Sequence, residues 1–102
     1  FGHYDLLPGN FLDDGKRLWL IDFEYAGFGT AMFDLAGAAA NAEMEDDQAK
    51  ALLTSYFGRE PDGAIWRAFD AMQGAAIVRE TMWAMVSDLH LSAPGADYKA
   101  YT

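Results

Sequence analysis

In residues 1–29, hydrophobic and polar positions form short runs without a helical repeat. Two β-prone runs, residues 10–12 and 18–21, flank an Asp-Asp-Gly-Lys turn signal. Asp and Gly tolerate the backbone angles that tight hairpins require. The pattern predicts one small β-hairpin, with a loop before it and an irregular stretch around Gly27 and Gly29 after it.

Two helices are predicted in the middle of the chain. Residues 32–45 are rich in alanine, which favours helix. Asp34 lies near their start, where a carboxylate can cap free amides and meets the positive end of the helix dipole. Residues 46–57 have apolar side chains at the spacing of an amphipathic helix, and Gly58 ends that helix.

A third and longest helix is predicted over residues 62–89, closed by Pro94 and Gly95. Its apolar face is formed by Ile65, Phe69, Met72, Ala76 and Trp83. Glu80 interrupts this face, which indicates a buried polar contact or the wall of a pocket. The predicted fold is α+β, mostly α, with one small β-hairpin and about three helices.

The chain is acidic, and this narrows its possible partners. Its 102 residues include 7 Lys and Arg against 16 Asp and Glu, a formal net charge of −9. Nucleic acid is repelled by such a surface, whereas a cationic small molecule is attracted to it. The absence of cysteine excludes disulfides, thiolate catalysis and cysteine-based zinc sites. Because neither a leader nor a long apolar run is present, we expect a cytoplasmic protein with no membrane span.

The first chemical signal is the pattern His3-x-Asp5 followed by Asn10. Protein kinases use this spacing in their catalytic loop, where the Asp accepts the proton of the attacking hydroxyl and the Asn holds magnesium. A hydroxyl is a poor nucleophile, so a carboxylate must lie within hydrogen-bond reach of it. The alternative interpretation is an ordinary loop stabilised by Asx turns.

The second signal is the apolar run of residues 18–21, which ends in Asp22-Phe23-Glu24. Kinase-like enzymes place a metal-binding Asp at the end of such a strand. Magnesium prefers hard oxygen ligands and usually takes one or two carboxylates. Asn10 and Asp22, at the two ends of one hairpin, are therefore the predicted magnesium ligands.

Together the two motifs resemble the choline/ethanolamine kinase branch of the protein-kinase-like aminoglycoside phosphotransferase superfamily. The matching strings are Gly-His-Tyr-Asp-Leu-Leu-Pro-Gly-Asn at residues 2–10 and Ile-Asp-Phe-Glu-Tyr-Ala-Gly at residues 21–27. Phe-Asp-Leu-Ala at residues 33–36 continues the resemblance. Arg-Glu-Thr-Met-Trp-Ala-Met-Val at residues 79–86 is similar to a helix that carries a substrate-pocket tryptophan, and Asp-Tyr at residues 97–98 resembles a tyrosine element beyond it.

The resemblance implies roles for individual residues. Asp5 would be the catalytic base, with ATP as phosphoryl donor and Mg²⁺ held by Asn10 and Asp22. Residues that support this centre would be His3, Glu24 and Asp34, and Glu24 could also contact the metal or a water molecule. An aromatic box for a quaternary ammonium group, which aromatic faces attract, would consist of Tyr25, Trp83 and Tyr98. For Trp83 the alternative is a core position on the apolar helix face.

The resemblance also implies parts that these residues do not contain. The family has a nucleotide-binding lobe with a phosphate-covering loop, a lysine and the glutamate that pairs with it, and none of these is present here. We therefore expect residues 1–102 to be a partial C-terminal lobe that is inactive by itself. Within it, residues 1–29 would form the catalytic loop and metal-binding hairpin, and residues 30–102 the helical substrate side.

The predicted function is transfer of the γ-phosphoryl group of ATP to a small hydroxyl substrate, choline or a related amino alcohol. An aminoglycoside or other antibiotic phosphotransferase is the enzymatic alternative. Animal choline kinases place an acidic residue where Asn41 stands, which weakens the assignment to choline. The alternative of another class is an inactive, truncated helical module that self-associates as a homodimer through exposed apolar surface.

Overall fold

The computed structural model describes residues 1–90, so the predicted helix end at residues 94–95 and the predicted site residue Tyr98 lie outside the described residues. A short 3₁₀ turn, Pro8–Asn10, leads into a two-stranded sheet, and three helices follow. The elements are β1 (Phe11–Asp13), β2 (Leu18–Leu20), α1 (Ala31–Asn41), α2 (Asp46–Phe57) and α3 (Gly63–His90). This confirms the α+β, mostly α fold predicted from the sequence.

The hairpin forms where the turn signal placed it. β1 and β2 pair antiparallel, with Phe11 opposite Leu20. Asp14 Oδ1 accepts hydrogen bonds from the backbone nitrogens of Lys16 and Arg17, at 2.8 and 2.7 Å. Gly15 has a φ of 85°, a conformation that glycine adopts without steric cost. The turn thereby brings residues 10 and 21, at the two ends of the hairpin, side by side.

Helix α1 is shorter than predicted. It ends at Asn41 rather than near residue 45, and Glu43 beyond it has a φ of 51°, outside the helical region. Its N-cap is Thr30, whose hydroxyl accepts a hydrogen bond from Met32 N at 3.2 Å. The expectation that Asp34 could cap this helix is therefore wrong, because Asp34 lies within the first turn and its carboxylate is engaged elsewhere.

Helices α2 and α3 lie close to their predicted positions. A capping box between Glu45 and Gln48 begins α2, and Gly58 ends it with a φ of 70°. Asp62 precedes α3 and accepts a hydrogen bond from Ile65 N at 2.9 Å, in the manner of an N-cap. The observed bounds of α3 differ from the predicted ones by one residue at each end, which is within the usual spread of helix assignments.

The core lies where α1 and α2 pack against the first half of α3. It consists of Leu35, Ala36, Ala39, Ala49, Leu53, Ile65 and Phe69. The small alanine side chains let the backbone of α1 approach α3 closely. None of the helices in residues 1–90 has the length and hydropathy needed to span a membrane.

Candidate active site

The loop before the hairpin is fastened to α1 by Asp34. The two oxygens of its carboxylate accept hydrogen bonds from the backbone nitrogens of His3 and Tyr4, each at 2.8 Å. Tyr4 has a φ of 66°, which is sterically unfavourable for a bulky side chain. Charge-assisted hydrogen bonds are stronger than neutral ones, so Asp34 can hold the loop in this conformation. Asp34 thus has a structural role, but its carboxylate binds the loop around His3 and Tyr4 instead of capping α1.

His3 connects the same loop to the end of β2. The ring is 4% exposed, and its Nδ1 accepts a hydrogen bond from Asp5 N at 3.1 Å. A nitrogen that accepts from an amide carries no proton, so Nε2 bears the hydrogen and donates to Ile21 O at 2.8 Å. Phe23 packs edge-on against the ring, with centroids 4.6 Å apart. These contacts give His3 a positioning role beside Asp5 and Asp22.

Asn10 makes the second connection across the hairpin. Its side-chain Nδ2 donates to Asp5 O at 2.9 Å, and its backbone oxygen accepts from Ile21 N at 3.0 Å. The residue is 9% exposed. Because the amide nitrogen is used on Asp5, the amide oxygen faces away from that bond and is the atom that could serve a metal. Asn10 therefore ties the loop around Asp5 to the end of β2.

Three carboxylates meet beside this loop. One oxygen from each of Asp5, Asp22 and Glu24 lies within 4.8 Å of the other two. Asp22 adopts a φ of 64°, a left-handed conformation that Asp tolerates better than most residues. Three like charges at this distance repel one another unless a cation lies among them, and carboxylate oxygens are the ligands that magnesium prefers. The donor set therefore fits magnesium, and Glu24 lies where the predicted metal contact would require it.

Asp5 is less exposed than the other two carboxylates. Burial and then the negative charge of Glu80 raise its pKa, and Asp22 acts in the same direction, while Arg79 and His3 lower it. Its side chain is 12% exposed, and Oδ1 lies 3.9 Å from Arg79 Nη2. A carboxylate with a raised pKa is a stronger base than an exposed one, which suits the abstraction of a hydroxyl proton.

A cleft of about 300 Å³ opens next to Asp5. It is lined by Asp5, Leu7, Glu24, Tyr25, Arg79, Glu80 and Trp83. The structure thus brings Tyr25 and Trp83, two members of the predicted aromatic box, to the same cleft as the predicted base. Its size and its mixture of apolar walls and a few charged groups are those of a small-molecule site.

Arg79 and Glu80 are functional candidates that sequence reasoning did not select. Arg79 Nη2 lies 3.0 Å from Glu80 Oε1, and the guanidinium lies over the rings of Tyr25 and Phe33, at 5.8 and 5.3 Å from their centroids. The signal that pointed to them was the interruption of the apolar face of α3 by Glu80. Of the two alternatives predicted for Glu80, a buried polar contact or a pocket wall, the structure shows Glu80 lining the cleft.

Known proteins share both sequence and structure with this chain. A family model described as "Phosphotransferase enzyme family" matches residues 1–77. Two curated relatives, both called Protein LicA and both from Haemophilus influenzae, are 39% identical over 54 residues. That stretch covers 53% of this chain but 20% of one relative and 16% of the other.

The three-dimensional comparison extends over almost the whole chain. A choline/ethanolamine kinase family protein from Mesorhizobium loti superimposes with a TM-score of 0.80 and 32% identity. The match covers 98% of this chain and 34% of the other. The chain therefore corresponds to about a third of that structure, and the resemblance found in the sequence is confirmed.

Proposed function

Because this chain belongs to the phosphotransferase enzyme family, we propose that it supplies the catalytic base, the metal ligands and the substrate cleft of an ATP- and magnesium-dependent small-molecule kinase. One observation carries the proposal. The carboxylates of Asp5, Asp22 and Glu24 come within 4.8 Å of one another, and Asp5 and Glu24 also line the cleft. A metal site and an acceptor site that share residues are what transfer of a phosphoryl group to a bound alcohol requires.

In this proposal Asp5 accepts the proton of the substrate hydroxyl as that oxygen bonds to the γ-phosphorus of ATP and the bond to ADP breaks. His3 and Asn10 orient Asp5 through its backbone nitrogen and oxygen. Arg79, 3.9 Å from Asp5 Oδ1, favours the ionised base that the reaction needs.

Asp22 and Glu24, with the amide oxygen of Asn10, would hold magnesium. When bound, magnesium neutralises charge on the nucleotide phosphates. The left-handed φ of Asp22 turns the chain directly after β2. Ile21, one residue earlier, is tied to both His3 and Asn10, so the metal ligands and the base belong to one hydrogen-bonded unit.

For the acceptor we propose choline or a related amino alcohol. The walls supplied by Tyr25 and Trp83 suit a quaternary ammonium group, which cannot donate hydrogen bonds but is attracted to aromatic faces. An aminoglycoside is the alternative acceptor. The solved relative is described as a choline/ethanolamine kinase family protein, which supports the first choice.

We further propose that residues 1–102 act as part of a C-terminal lobe, with residues 1–29 forming the catalytic and metal-binding unit and residues 30–102 the substrate side. The nucleotide lobe would be supplied by a further part of the protein. The chain covers 34% of the solved relative and a fifth or less of the curated ones, which leaves room for such a lobe.

The test is an assay of the full-length gene product for ATP-dependent phosphorylation of choline, ethanolamine and an aminoglycoside panel. We expect turnover of an amino alcohol that needs added Mg²⁺ and is lost in the Asp5→Ala and Asp22→Ala variants. The exposed Asp70 on α3 offers a control, and Asp70→Ala should retain activity. Activity that persisted in the Asp5 and Asp22 variants would contradict the mechanism.

A second candidate, a self-associating helical module, is favoured by the exposed face of α3. Six apolar side chains on its second half are each more than half exposed: Ile77, Val78, Met82, Met85, Val86 and Leu89. Contiguous apolar surface of this kind commonly marks an interface. Sedimentation of the chain at several concentrations tests this function, and a monomer at all of them would exclude it.

A further inference from the structure

The charges that face the cleft do not cancel. Asp5, Glu24 and Glu80 contribute carboxylates to its lining, and Arg79 contributes a guanidinium. Glu80 lies on a helix face that is otherwise apolar, and its side chain is only 30% exposed. Placing a carboxylate there costs desolvation energy without an obvious gain for the fold. The position therefore calls for a functional explanation.

Arg79 offsets this negative charge only in part. Its Nη2 lies 3.0 Å from Glu80 and 3.9 Å from Asp5, so one positive group is shared between two carboxylates. The guanidinium is also held over Tyr25 and Phe33, which fixes its place on the wall. Glu80 and Asp5 line the same cleft, so the carboxylate of Glu80 acts on the space beside the proposed base.

We propose that Glu80 is a specificity-determining residue, whose carboxylate selects alcohols that carry a positive charge over neutral alcohols of the same shape. The inference rests on the proposed function and assigns the recognition of charge to this side chain. Tyr25 and Trp83 then contribute shape and apolar contact, while Arg79 is a positioning residue that keeps the Glu80 carboxylate against the wall. The hydroxyl end of the substrate lies at Asp5 and the cationic end near Glu80.

The deciding experiment compares two alcohols that differ only in charge. Choline and its neutral isostere 3,3-dimethylbutan-1-ol have nearly the same shape, with carbon in place of nitrogen in the second. KM and kcat for both are measured with the full-length wild-type protein and with the Glu80→Gln variant. Calorimetric binding of both alcohols without ATP provides a readout that does not depend on turnover.

We expect Glu80→Gln to raise the KM for choline about tenfold, a modest value because Glu80 is partly exposed and partly paired. The KM for the neutral isostere should stay unchanged. Glu80→Asp keeps the charge and should keep the preference for choline. The control Glu60→Gln alters an exposed carboxylate that pairs with Lys50 and does not line the cleft, and it should affect neither substrate.

The outcomes separate this inference from the proposed function. An equal rise of KM for both alcohols in Glu80→Gln would show a structural role and overturn the inference, as would no change for either. Failure of the wild-type protein to bind or phosphorylate any alcohol would instead contradict the proposed function itself. A loss confined to choline, retained by Glu80→Asp, supports the proposal.

Discussion

The Tyr4 backbone nitrogen lies 2.8 Å from Asp34 Oδ1, although the two residues are 30 positions apart and Tyr4 has a φ of 66°. The conformation of the loop next to Asp5 is therefore maintained by a helix that follows the hairpin. Strained backbone persists only where its surroundings determine it, and such positions concentrate at functional sites. The contact couples the stability of α1 to the geometry of the proposed base.

Replacement of Asp34 by Asn should destabilise the protein. One carboxylate oxygen becomes an NH₂ group that cannot accept the hydrogen bond from His3 or Tyr4, and the charge that strengthens the other bond is lost. We expect a loss of about 2–3 kcal/mol in the free energy of unfolding, measured in urea. Asp70→Asn, at an exposed position on α3, should change it little. Equal stability of the two variants would contradict the role given to Asp34.

Replacement of Gly29 by Ala should also destabilise this region, for a steric reason. A methyl group at position 29 would overlap the Tyr4 phenol, whereas one at Gly27 would meet nothing within 4 Å. We expect Gly29→Ala to cost about 1–3 kcal/mol, the range for overpacking, and Gly27→Ala to cost less. Thermal unfolding followed by circular dichroism measures the difference. A Gly29→Ala protein as stable as Gly27→Ala would mean that Tyr4 does not pack over this glycine.

The parts of the fold that could be predicted are those whose signals are local. The hairpin follows from the turn residues around Gly15, and α2 follows from its apolar spacing and ends where Gly58 indicates. The end of α1 could not be predicted, because alanine-rich sequence favours helix without saying where it stops. It stops at Asn41, whose side chain donates a hydrogen bond to Leu6 O at 3.2 Å in the loop that precedes the hairpin.

In the site, too, the residues with a local sequence signal could be predicted and those placed by tertiary packing could not. The spacing of Asp5, Asn10 and Asp22 could be read directly because the three residues belong to one loop and hairpin. The contribution of Arg79 and Glu80 depends on the packing of α3 against α1, and no local pattern encodes that packing. The one sequence signal for this contribution was the charged residue at position 80 on an otherwise apolar helix face.

The carboxylate cluster predicts a specific effect on metal binding. Asp22→Asn should weaken binding of Mn²⁺, a spectroscopic substitute for Mg²⁺, by about tenfold or more. Mutation of a residue that only hydrogen-bonds to a metal ligand commonly lowers metal affinity by that much, and loss of a ligand should lower it at least as far. Asp13→Asn on the neighbouring strand removes the same charge away from the cluster and is the matched control. Electron paramagnetic resonance titration reports free Mn²⁺. Equal affinities in the two variants would exclude Asp22 as a ligand.

Two variants should move the pKa of Asp5 in opposite directions. Removing the charge of Glu80 by Glu80→Gln takes away a cause that raises this pKa, so the pKa should fall. Removing the charge of Arg79 by Arg79→Gln takes away a cause that lowers it, so the pKa should rise. NMR titration of the Asp5 side-chain carboxyl in metal-free protein measures both. Shifts in the same direction would contradict the arrangement of charges around the cleft.

Asp5 should also make the fold less stable as pH rises. Its pKa in the folded protein is raised above the ordinary value of 3.8, so the folded state binds more protons than the unfolded state between the two values. Stability from this group is therefore fully present below pH 3.8 and is lost as pH rises through the folded pKa. Asp14 and Asp62 have lowered pKa values. Their contributions to the stability of the fold are therefore lost as pH falls below 3.8, and they do not change above it.

Comparison of the wild type with Asp5→Asn isolates this effect, because the variant keeps every other carboxylate. Urea unfolding from about pH 4 to about pH 8 should show a difference in stability that grows in favour of Asp5→Asn as pH rises, and then levels off. The variant should at the same time lose phosphotransferase activity, since an amide cannot accept the hydroxyl proton. A difference that is constant with pH would mean that the pKa of Asp5 is not raised. A base kept at a cost to stability is expected of a group retained for its chemistry.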